Sequence, residues 1–311
     1  MLFESPKLVK KLRKNSSTLF AEDFTFNSAN NKTHFISMNR YQSLFLAAAF
    51  GLLVAGCSTY KYKATDKVYK NNAKAFSEII KATPPKNQKI DSLYADQYFV
   101  GTTNMGIRKP NFVIIHHTAQ DSLEQTLRTF TLTRTGTSSH YVVSRDGKVV
   151  QMVNDYLRAQ HAGVGKWGSV TDMNSCSIGI EMDNNGTTDI WTDAQINSLC
   201  ALLGTLKKKY SIPTANFIGH ADFAPGRKND PKNFPWKTLA QKGYGLWYDD
   251  VLDSVPENFD TTAALKVIGY NVQRLNYAIE AFKIHYIQTD ITQTLTDFDK
   301  QVLYNLYKKS F

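Results

Sequence analysis

A histidine and a carboxylate stand at the two ends of a short, turn-rich segment, Asn216–Pro231, with the sequence NFIGHADFAPGRKNDP. The apolar pair Phe217–Ile218 predicts the end of a strand leading into His220, and Pro225–Gly226 predicts a turn before Asp230. Two such side chains at the ends of a constrained loop can bind one cation. With a second nitrogen ligand they would leave a fourth tetrahedral position open, which is the arrangement of catalytic rather than structural zinc.

A source for the second nitrogen lies upstream, in the segment FVIIHHT at Phe112–Thr118. An apolar strand carries His116 and His117 at its end, and because side chains alternate along a strand, only one of them can face the site. A lone histidine is more often packed or solvated than bound to a metal. Here, however, five of the seven histidines fall between residues 116 and 220, and this concentration favours a metal site.

The two segments, together with SIGIEMDN at Ser177–Asn184, resemble the zinc-dependent N-acetylmuramoyl-L-alanine amidases of the second type. That family shares its fold with the peptidoglycan recognition proteins. The resemblance covers roughly Asp91 to Asp250, and three motifs in the same order are more specific than any one of them. It implies an α/β fold with a central mixed sheet flanked by helices.

The resemblance also implies roles for particular residues. His116, the first histidine of the pair, would bind a single Zn²⁺ together with His220 and Asp230. Glu181 would be the catalytic carboxylate, and Lys228 would act beside the metal. One departure is visible, because Lys232 stands after Asp230–Pro231 where the family usually has glycine. This change alters the loop behind the metal but removes no ligand.

The substrate bond implied by the resemblance is the amide between the lactyl group of N-acetylmuramic acid and L-alanine, in peptidoglycan or in muropeptides. Zinc would lower the pKa of a water molecule to about 7 and polarise the carbonyl. Glu181 would take the proton of that water and pass it to the leaving nitrogen. Lys228, two residues before Asp230, would place a positive charge near the carbonyl oxygen.

Three further side chains are candidates for the cleft around the metal. His161, in the small-residue segment Gln160–Gly163, would either contact substrate or support a ligand from behind. Trp167 and Trp191 would be platforms on which a sugar stacks, although buried tryptophan is equally common. His117 is expected to point away from the metal.

The net charge of +10 needs to be divided along the chain before it implies a partner. Residues 58–90 carry eight lysines and two acidic residues, whereas residues 91–252 carry sixteen basic and fifteen acidic residues. A protein that binds the phosphate backbone would carry its charge on the folded domain instead. Nucleic acid is therefore excluded as the expected partner. Separately, the chain is expected to be a monomer.

The N-terminal part predicts export rather than a folded domain. Residues 1–37 are polar and patternless, and we interpret them as a non-native upstream extension or a disordered segment, with translation starting at Met38. Residues 38–57 predict a signal peptide, because the apolar run Leu44–Val54 is too short to span a bilayer and precedes the small residues before Cys57. A buried core helix is the alternative. The surroundings of Cys57 resemble a lipobox, which implies a lipid anchor, and Ser58 favours the outer membrane facing the periplasm.

Residues 58–90 predict a spacer between the membrane and the enzyme. The segment is rich in lysine, threonine and asparagine and ends in Pro84–Pro85, with one short helix expected near Ala73–Ile80. A solvated linker is the default for such a composition, and attraction to anionic lipid headgroups is the alternative.

The region 91–252 alternates helix and strand signals, as an α/β domain should. Ser122 and Thr192 each begin a capping-box pattern ahead of a helix. Strands are predicted at Ser139–Val143, Lys148–Met152 and Ile178–Met182, in addition to those ending at His116 and Ile218. Apolar residues at helical spacing predict a core-facing stripe, formed by Ile196, Leu199, Cys200, Leu203 and Leu206.

Residues 258–311 predict three short helices that pack on the catalytic domain, since so short a segment is marginal alone. Two apolar faces are expected, one at Leu275, Ala278, Ile279 and Phe282, and the other at Leu295, Phe298, Val302, Leu303 and Leu306. The segment resembles the three-helix peptidoglycan-binding modules found beside cell-wall hydrolases. A structural cap with no ligand is the alternative.

Two other functions remain open at the level of the sequence. One is a peptidoglycan receptor of the same fold without activity, and the other is a zinc peptidase that cuts within the stem peptide. Cys176 and Cys200 are expected to be small apolar residues of the core, although the cell envelope would permit a disulfide between them.

Overall fold

The computed structural model describes residues 60–81, 89–90, 93–94, 105 and 107–311. The predicted extension, signal peptide and lipidated Cys57 lie outside these residues. The described residues from Asn72 onward belong to one compact unit.

The segment predicted as a spacer contains a long helix, α1, at Lys63–Lys81. It is longer than the short helix expected near Ala73–Ile80, because no glycine or proline interrupts residues 63–81 and alanine and lysine favour helix. Two short strands follow, β1 at Lys89–Ile90 and β2 at Leu93–Tyr94, and they pair in antiparallel fashion. The boundary predicted after residue 90, between the spacer and the catalytic region, therefore falls between two strands that pair with each other.

Among the described residues, no helix combines the length and the apolar character that crossing a bilayer would require.

A five-stranded sheet carries the site. Its strands are β3 at Phe112–His117, β4 at Tyr141–Val143, β5 at Val149–Gln151, β6 at Ser177–Met182 and β7 at Phe217–Gly219. The order across the sheet is β5-β4-β6-β3-β7, with β5 antiparallel to β4 and the other pairs parallel. Strands β3 and β6 are almost entirely buried because helices cover both faces of the sheet. The predicted mixed sheet is confirmed.

Helices of the same region are α2 at Leu123–Thr131, α3 at Met173–Cys176, α4 at Asp193–Tyr210, α5 at His220–Phe223 and α6 at Trp236–Gln241. Both predicted N-caps are confirmed, since Ser122 Oγ accepts from the backbone of Gln125 and Thr192 Oγ1 accepts from that of Gln195. The predicted stripe of α4 faces the core, although Cys200 is only half-buried. Cys176 and Cys200 are both free thiols.

The C-terminal segment forms three helices, α7 at Thr261–Ile268, α8 at Leu275–Tyr286 and α9 at Asp297–Lys308. As predicted, they pack on the catalytic region, in one apolar cluster that joins Ile114 and Ile218 of the sheet to buried side chains of all three helices, namely Leu265, Phe282 and Leu303.

Two of the predicted apolar positions are wrong. Leu275 is 38% exposed and Phe298 is 49% exposed. Both lie in the first turn of their helices, where the helix leaves the core, so the apolar spacing extends further than the buried face. Leu295 lies before α9, which begins after the cap at Thr296.

Candidate metal and catalytic site

Three parallel strands bring the candidate residues to one edge of the sheet. In the register of β3 with β6, His116 lies opposite Glu181. On the other side of β3, Ile115 lies opposite Gly219, so that His220 follows at the level of His116. Because the carboxyl ends of parallel strands meet at the same edge, residues 65 to 104 positions apart along the chain become neighbours.

The predicted ligands converge on one point. Nδ1 of His116 lies 2.9 Å from Nδ1 of His220, and these two nitrogens lie 3.3 and 3.1 Å from Oδ2 of Asp230. All three side chains are buried. A tetrahedral zinc with ligand bonds of about 2.0–2.1 Å has ligand–ligand edges of about 3.3 Å, so the spacing and the chemistry of this donor set fit zinc.

The ring of His220 is oriented by a backbone carbonyl. Its Nε2 lies 2.9 Å from the carbonyl oxygen of Ala162, to which it donates when it carries the ring proton. This tautomer leaves the lone pair of Nδ1 directed at the other two donors. Arg227 donates to the same carbonyl oxygen over 2.6 Å and so helps to fix it.

The ring of His116 is oriented by a chain of hydrogen bonds that runs through His161. Nε2 of His116 lies 3.0 Å from Nδ1 of His161, and Nε2 of His161 lies 3.1 Å from Oγ of Ser177. That hydroxyl donates in turn to the carbonyl oxygen of Met173 over 2.5 Å. If each group donates toward Met173, the lone pair of His116 Nδ1 faces the metal position.

His161 sits where it does because Gly179 has no side chain. A Cβ at that position would lie 2.3 Å from Cγ of His161. Both ring nitrogens of His161 are engaged by protein groups, and the ring is buried. Of the two roles expected from the sequence, these contacts favour support of His116 over contact with substrate.

Burial and mutual contact set the charge of the donors. Burial, reinforced by His220, lowers the pKa of His116 to about 4. Burial alone would raise the pKa of Asp230, but its hydrogen bonds with His116 and His220 hold that pKa well below its usual range. An ionised carboxylate beside a neutral imidazole is the protonation state that metal binding requires.

Glu181 lies beside this donor set and is buried. Burial, followed by the negative charge of Asp230, raises its pKa to about 8, while Lys228 opposes the shift. Such a carboxyl exchanges a proton near neutral pH, as a general acid or base must. Lys228 is exposed on the rim of the same cleft.

The cleft has a volume of about 460 Å³. Besides the three donors, Glu181 and Lys228, it is lined mainly by polar residues, among them Thr118, Gln120, Ser138, Gln160, Arg227 and Asn229. A mouth of this kind can accept a polar, extended substrate.

The two tryptophans predicted as sugar platforms do not line this cleft. Trp167 is buried and packs edge-on against Tyr270 of the C-terminal segment, with ring centroids 4.9 Å apart. Trp191 packs edge-on against Phe234 and donates from Nε1 to the carbonyl oxygen of Lys232. The prediction that Trp167 binds substrate is therefore wrong, because its ring is covered by protein.

His117, the neighbour of His116, contacts Lys232, which stands where the family usually has glycine. The backbone N–H of Lys232 donates to Nδ1 of His117 over 3.4 Å. His117 thus bonds within the domain, and Lys232, at the position where the family usually has glycine, leaves the three donors together.

Sequence reasoning missed the acid that holds the start of α5. Asp222 accepts from the backbone N–H of Gly219 over 2.7 Å, and its carboxylate also contacts Tyr270 and His285 at 2.6 and 2.7 Å. An acid two residues after His220 was the available signal. Its partners lie 48 and 63 positions further along the chain, where no local pattern connects them.

Comparison with known proteins places this geometry in a family. The sequence model of the N-acetylmuramoyl-L-alanine amidase family Amidase_2 matches residues 106–233. The chain is 34% identical over 209 residues to N-acetylmuramoyl-L-alanine amidase AmiD of Escherichia coli K12, covering 57% of this chain and 75% of AmiD. It is 43% identical over 100 residues to the 1,6-anhydro-N-acetylmuramyl-L-alanine amidase AmpD of Enterobacter cloacae, covering 32% of this chain and 53% of AmpD.

Two solved structures share the fold across most of their length. AmiD from E. coli, in complex with the substrate anhydro-N-acetylmuramic acid-L-Ala-D-γ-Glu-L-Lys, matches with a TM-score of 0.58 and 28% identity over 67% of this chain and 93% of AmiD. AmpDh3 from Pseudomonas aeruginosa, in complex with an anhydromuramic pentapeptide, matches with a TM-score of 0.60 and 27% identity over 71% of this chain and 98% of AmpDh3.

Proposed function

Because this chain belongs to the N-acetylmuramoyl-L-alanine amidase family, we propose that it hydrolyses the amide bond between N-acetylmuramic acid and L-alanine, with zinc as its metal. The observation that carries the proposal is the convergence of His116, His220 and Asp230, with three donor atoms 2.9–3.3 Å apart. When bound there, Zn²⁺ supplies a Lewis acid that polarises the scissile carbonyl and lowers the pKa of a water molecule.

The chain's own residues do the rest of the chemistry. Glu181 takes the proton from the attacking water and returns it to the nitrogen of L-alanine as the C–N bond breaks. Its burial supports this role, because a carboxyl whose pKa is about 8 holds and releases a proton near neutral pH. Lys228, on the rim of the cleft, offers a positive charge to the carbonyl oxygen as negative charge develops there.

The ligands seen in the relatives indicate the kind of substrate. AmiD is complexed with an anhydro-muramoyl peptide, and AmpDh3 with an anhydromuramic pentapeptide. We therefore infer that muropeptides fit the cleft of this chain as well. Its open, polar mouth at Gln120, Ser138 and Gln160 is compatible with a sugar on one side of the scissile bond and a peptide on the other.

Digestion of purified sacculi and of muropeptides, with and without a chelator, tests the assignment. Free stem peptides beginning with L-alanine, identified by mass spectrometry and lost on chelation, are the expected products. Shortened stems still attached to sugar would identify a zinc peptidase instead. Binding without any product, at full zinc occupancy, would identify a receptor.

We also propose that the protein acts at the bacterial cell envelope through a lipid on Cys57, with residues 38–57 as its signal peptide. The lipobox-like sequence before Cys57 supports this. Mass spectrometry of the mature N-terminus tests it, since a lipid-modified peptide beginning at Cys57 is expected and an unmodified one would contradict it.

For residues 258–311 we propose a role in holding peptidoglycan. Sedimentation with sacculi, compared between the wild-type chain and variants of exposed polar residues on α8 and α9, tests this role. Unchanged sedimentation in every such variant would leave these helices as a structural part of the catalytic unit.

A further inference from the structure

Helix α1, Lys63–Lys81, has two faces of opposite character. Four lysines recur along it at intervals of four, three and four residues, which places Lys63, Lys67, Lys70 and Lys74 on one side of a helix with 3.6 residues per turn. Residues 60–81 contain six lysines against two acids, Asp66 and Glu78. This side of the helix is strongly basic.

The opposite side of α1 is apolar and exposed. The apolar side begins with Val68. Phe76, Ile79 and Ile80 follow it by eight, eleven and twelve residues, and these distances keep all four on one side of the helix. Their side chains are 58%, 47%, 71% and 63% exposed, and no residue of the helix is buried. A row of large apolar side chains left in water is unfavourable and needs a partner.

Two observations identify the kind of partner. The lysines are complementary to an anionic surface, and the helix begins six residues after Cys57, which is at most about 20 Å of extended chain. A seam with another helix fits less well than a membrane surface. A heptad register with Tyr69 and Phe76 at a positions puts Thr65 and Asn72 at d, and the register with them at d positions puts the charged Asp66 at a.

We propose that α1 lies flat in the headgroup region of an anionic phospholipid bilayer, with its apolar side toward the acyl chains and its lysines among the phosphates. This combination of a basic side and an aromatic and aliphatic side is that of an interfacial helix, and the helix lacks the apolar length to cross the bilayer. The inference rests on the proposed envelope location, and it adds a second membrane contact beside the lipid on Cys57.

The test uses the full chain with Cys57→Ser, so that no lipid is attached and the predicted leader is the same in every variant. Sedimentation with vesicles of phosphatidylcholine, with and without phosphatidylglycerol, measures binding. We expect binding to anionic vesicles that weakens with salt. The triple variant Phe76→Ser/Ile79→Ser/Ile80→Ser should bind at least tenfold more weakly.

The matched control removes as much exposed apolar surface elsewhere on the protein. Ile190, Val251 and Phe311 are 79%, 85% and 86% exposed, and their replacement by serine should leave vesicle binding unchanged. A second set of variants tests the charge of the helix. Replacing Lys67, Lys70 or Lys74 by glutamine should weaken vesicle binding about fivefold for each lysine removed. The same change at three exposed lysines elsewhere should have little effect, namely Lys109, Lys208 and Lys242.

Several outcomes would overturn the inference. These are equal binding of the triple variant and the wild-type chain, equal binding to neutral and anionic vesicles, or concentration-dependent self-association through α1 in sedimentation velocity. Lysine-dependent binding to sacculi with no binding to vesicles would also overturn it. Hydrolysis of a soluble muropeptide, measured in parallel, should be the same in all variants. If no variant hydrolysed the muropeptide while vesicle binding behaved as expected, the result would count against the proposed function and not against the membrane contact.

Discussion

The hydroxyl of Tyr270 donates a 2.6 Å hydrogen bond to Oδ1 of Asp222, and both side chains are buried. The other carboxylate oxygen of Asp222 is 2.7 Å from Nδ1 of His285 and accepts from the backbone of Gly219, the residue before His220. Through this one acid, the C-terminal segment is bonded to the start of α5, which carries His220, a proposed zinc ligand.

Tyr270→Phe should destabilise the protein by about 1–3 kcal/mol, because a buried carboxylate loses one of its hydrogen-bond donors. Burial, with the charge of Asp222, raises the pKa of Tyr270 well above its ordinary value, so the hydroxyl stays a donor across the accessible pH range. Urea unfolding measures the loss. Tyr304→Phe, at a half-buried tyrosine on α9, is the control and should change stability by less than about 0.5 kcal/mol. Equal effects of the two substitutions would contradict the role given to Asp222.

Ser177→Ala should weaken zinc binding about 10–100-fold without removing a ligand. The loss of the hydroxyl leaves Nε2 of His161 without its acceptor, and the proton arrangement that directs Nδ1 of His116 at the metal is no longer fixed. Competition with a chromogenic chelator measures the affinity. Ser175→Ala, whose hydroxyl bonds to the exposed Asp172, is the matched control and should bind zinc as the wild type does. An unchanged affinity in Ser177→Ala would show that His161 does not orient His116.

The strands and helix caps that the sequence predicts correctly depend on local patterns. The apolar strands ending at His116 and Ile218 and the capping residues Ser122 and Thr192 could be read from residues within one turn or one strand. The convergence of His116, His220 and Asp230 is implied by the resemblance, and the three side chains do lie together.

What the sequence could not predict depends on contacts between distant parts of the chain. The sequence predicts Trp167 as a sugar platform, because no neighbouring residue indicates that Tyr270 and Gly269 cover its ring. Leu275 and Phe298 continue an apolar spacing past the point at which their helices leave the core. Burial of a given residue is set by tertiary packing, which periodicity reports only for the middle of an element.

Glu181→Gln and Glu181→Ala should each reduce hydrolysis of a muropeptide by about 10²–10⁴-fold, because neither side chain can accept the proton of the attacking water. Zinc content should stay at one per chain, since Glu181 is not among the three converging donors. Product analysis and metal analysis on the same preparations check both statements. His220→Ala, which removes a donor, is the opposite control and should lose zinc together with activity. Retained turnover in Glu181→Gln would assign the proton transfer to another group.

The C-terminal segment should lose stability in acid through the contact between Lys283 and Asp290. The ammonium of buried Lys283 contacts both Asp290 and the buried Asp299, and its hydrogen bond to Asp290 lowers the pKa of Asp290 to about 2. In the unfolded chain an aspartate has a pKa of about 3.9. A carboxyl whose pKa is lower in the folded state stabilises the fold fully above about pH 4, and this contribution is lost as the pH falls toward 2.

Asp290→Asn should therefore be less stable than the wild type at pH 5 and approach it as the pH is lowered toward 2. Urea unfolding at intervals of half a pH unit between pH 5 and pH 2 measures the difference. Asp297→Asn is the matched control, because this aspartate pairs with Lys300 only on the surface, with its side chain 97% exposed. A difference between Asp290→Asn and the wild type that did not shrink in acid would mean that Asp290 acts through the shape of its loop, where it also accepts from the backbone of Thr292, and not through its charge.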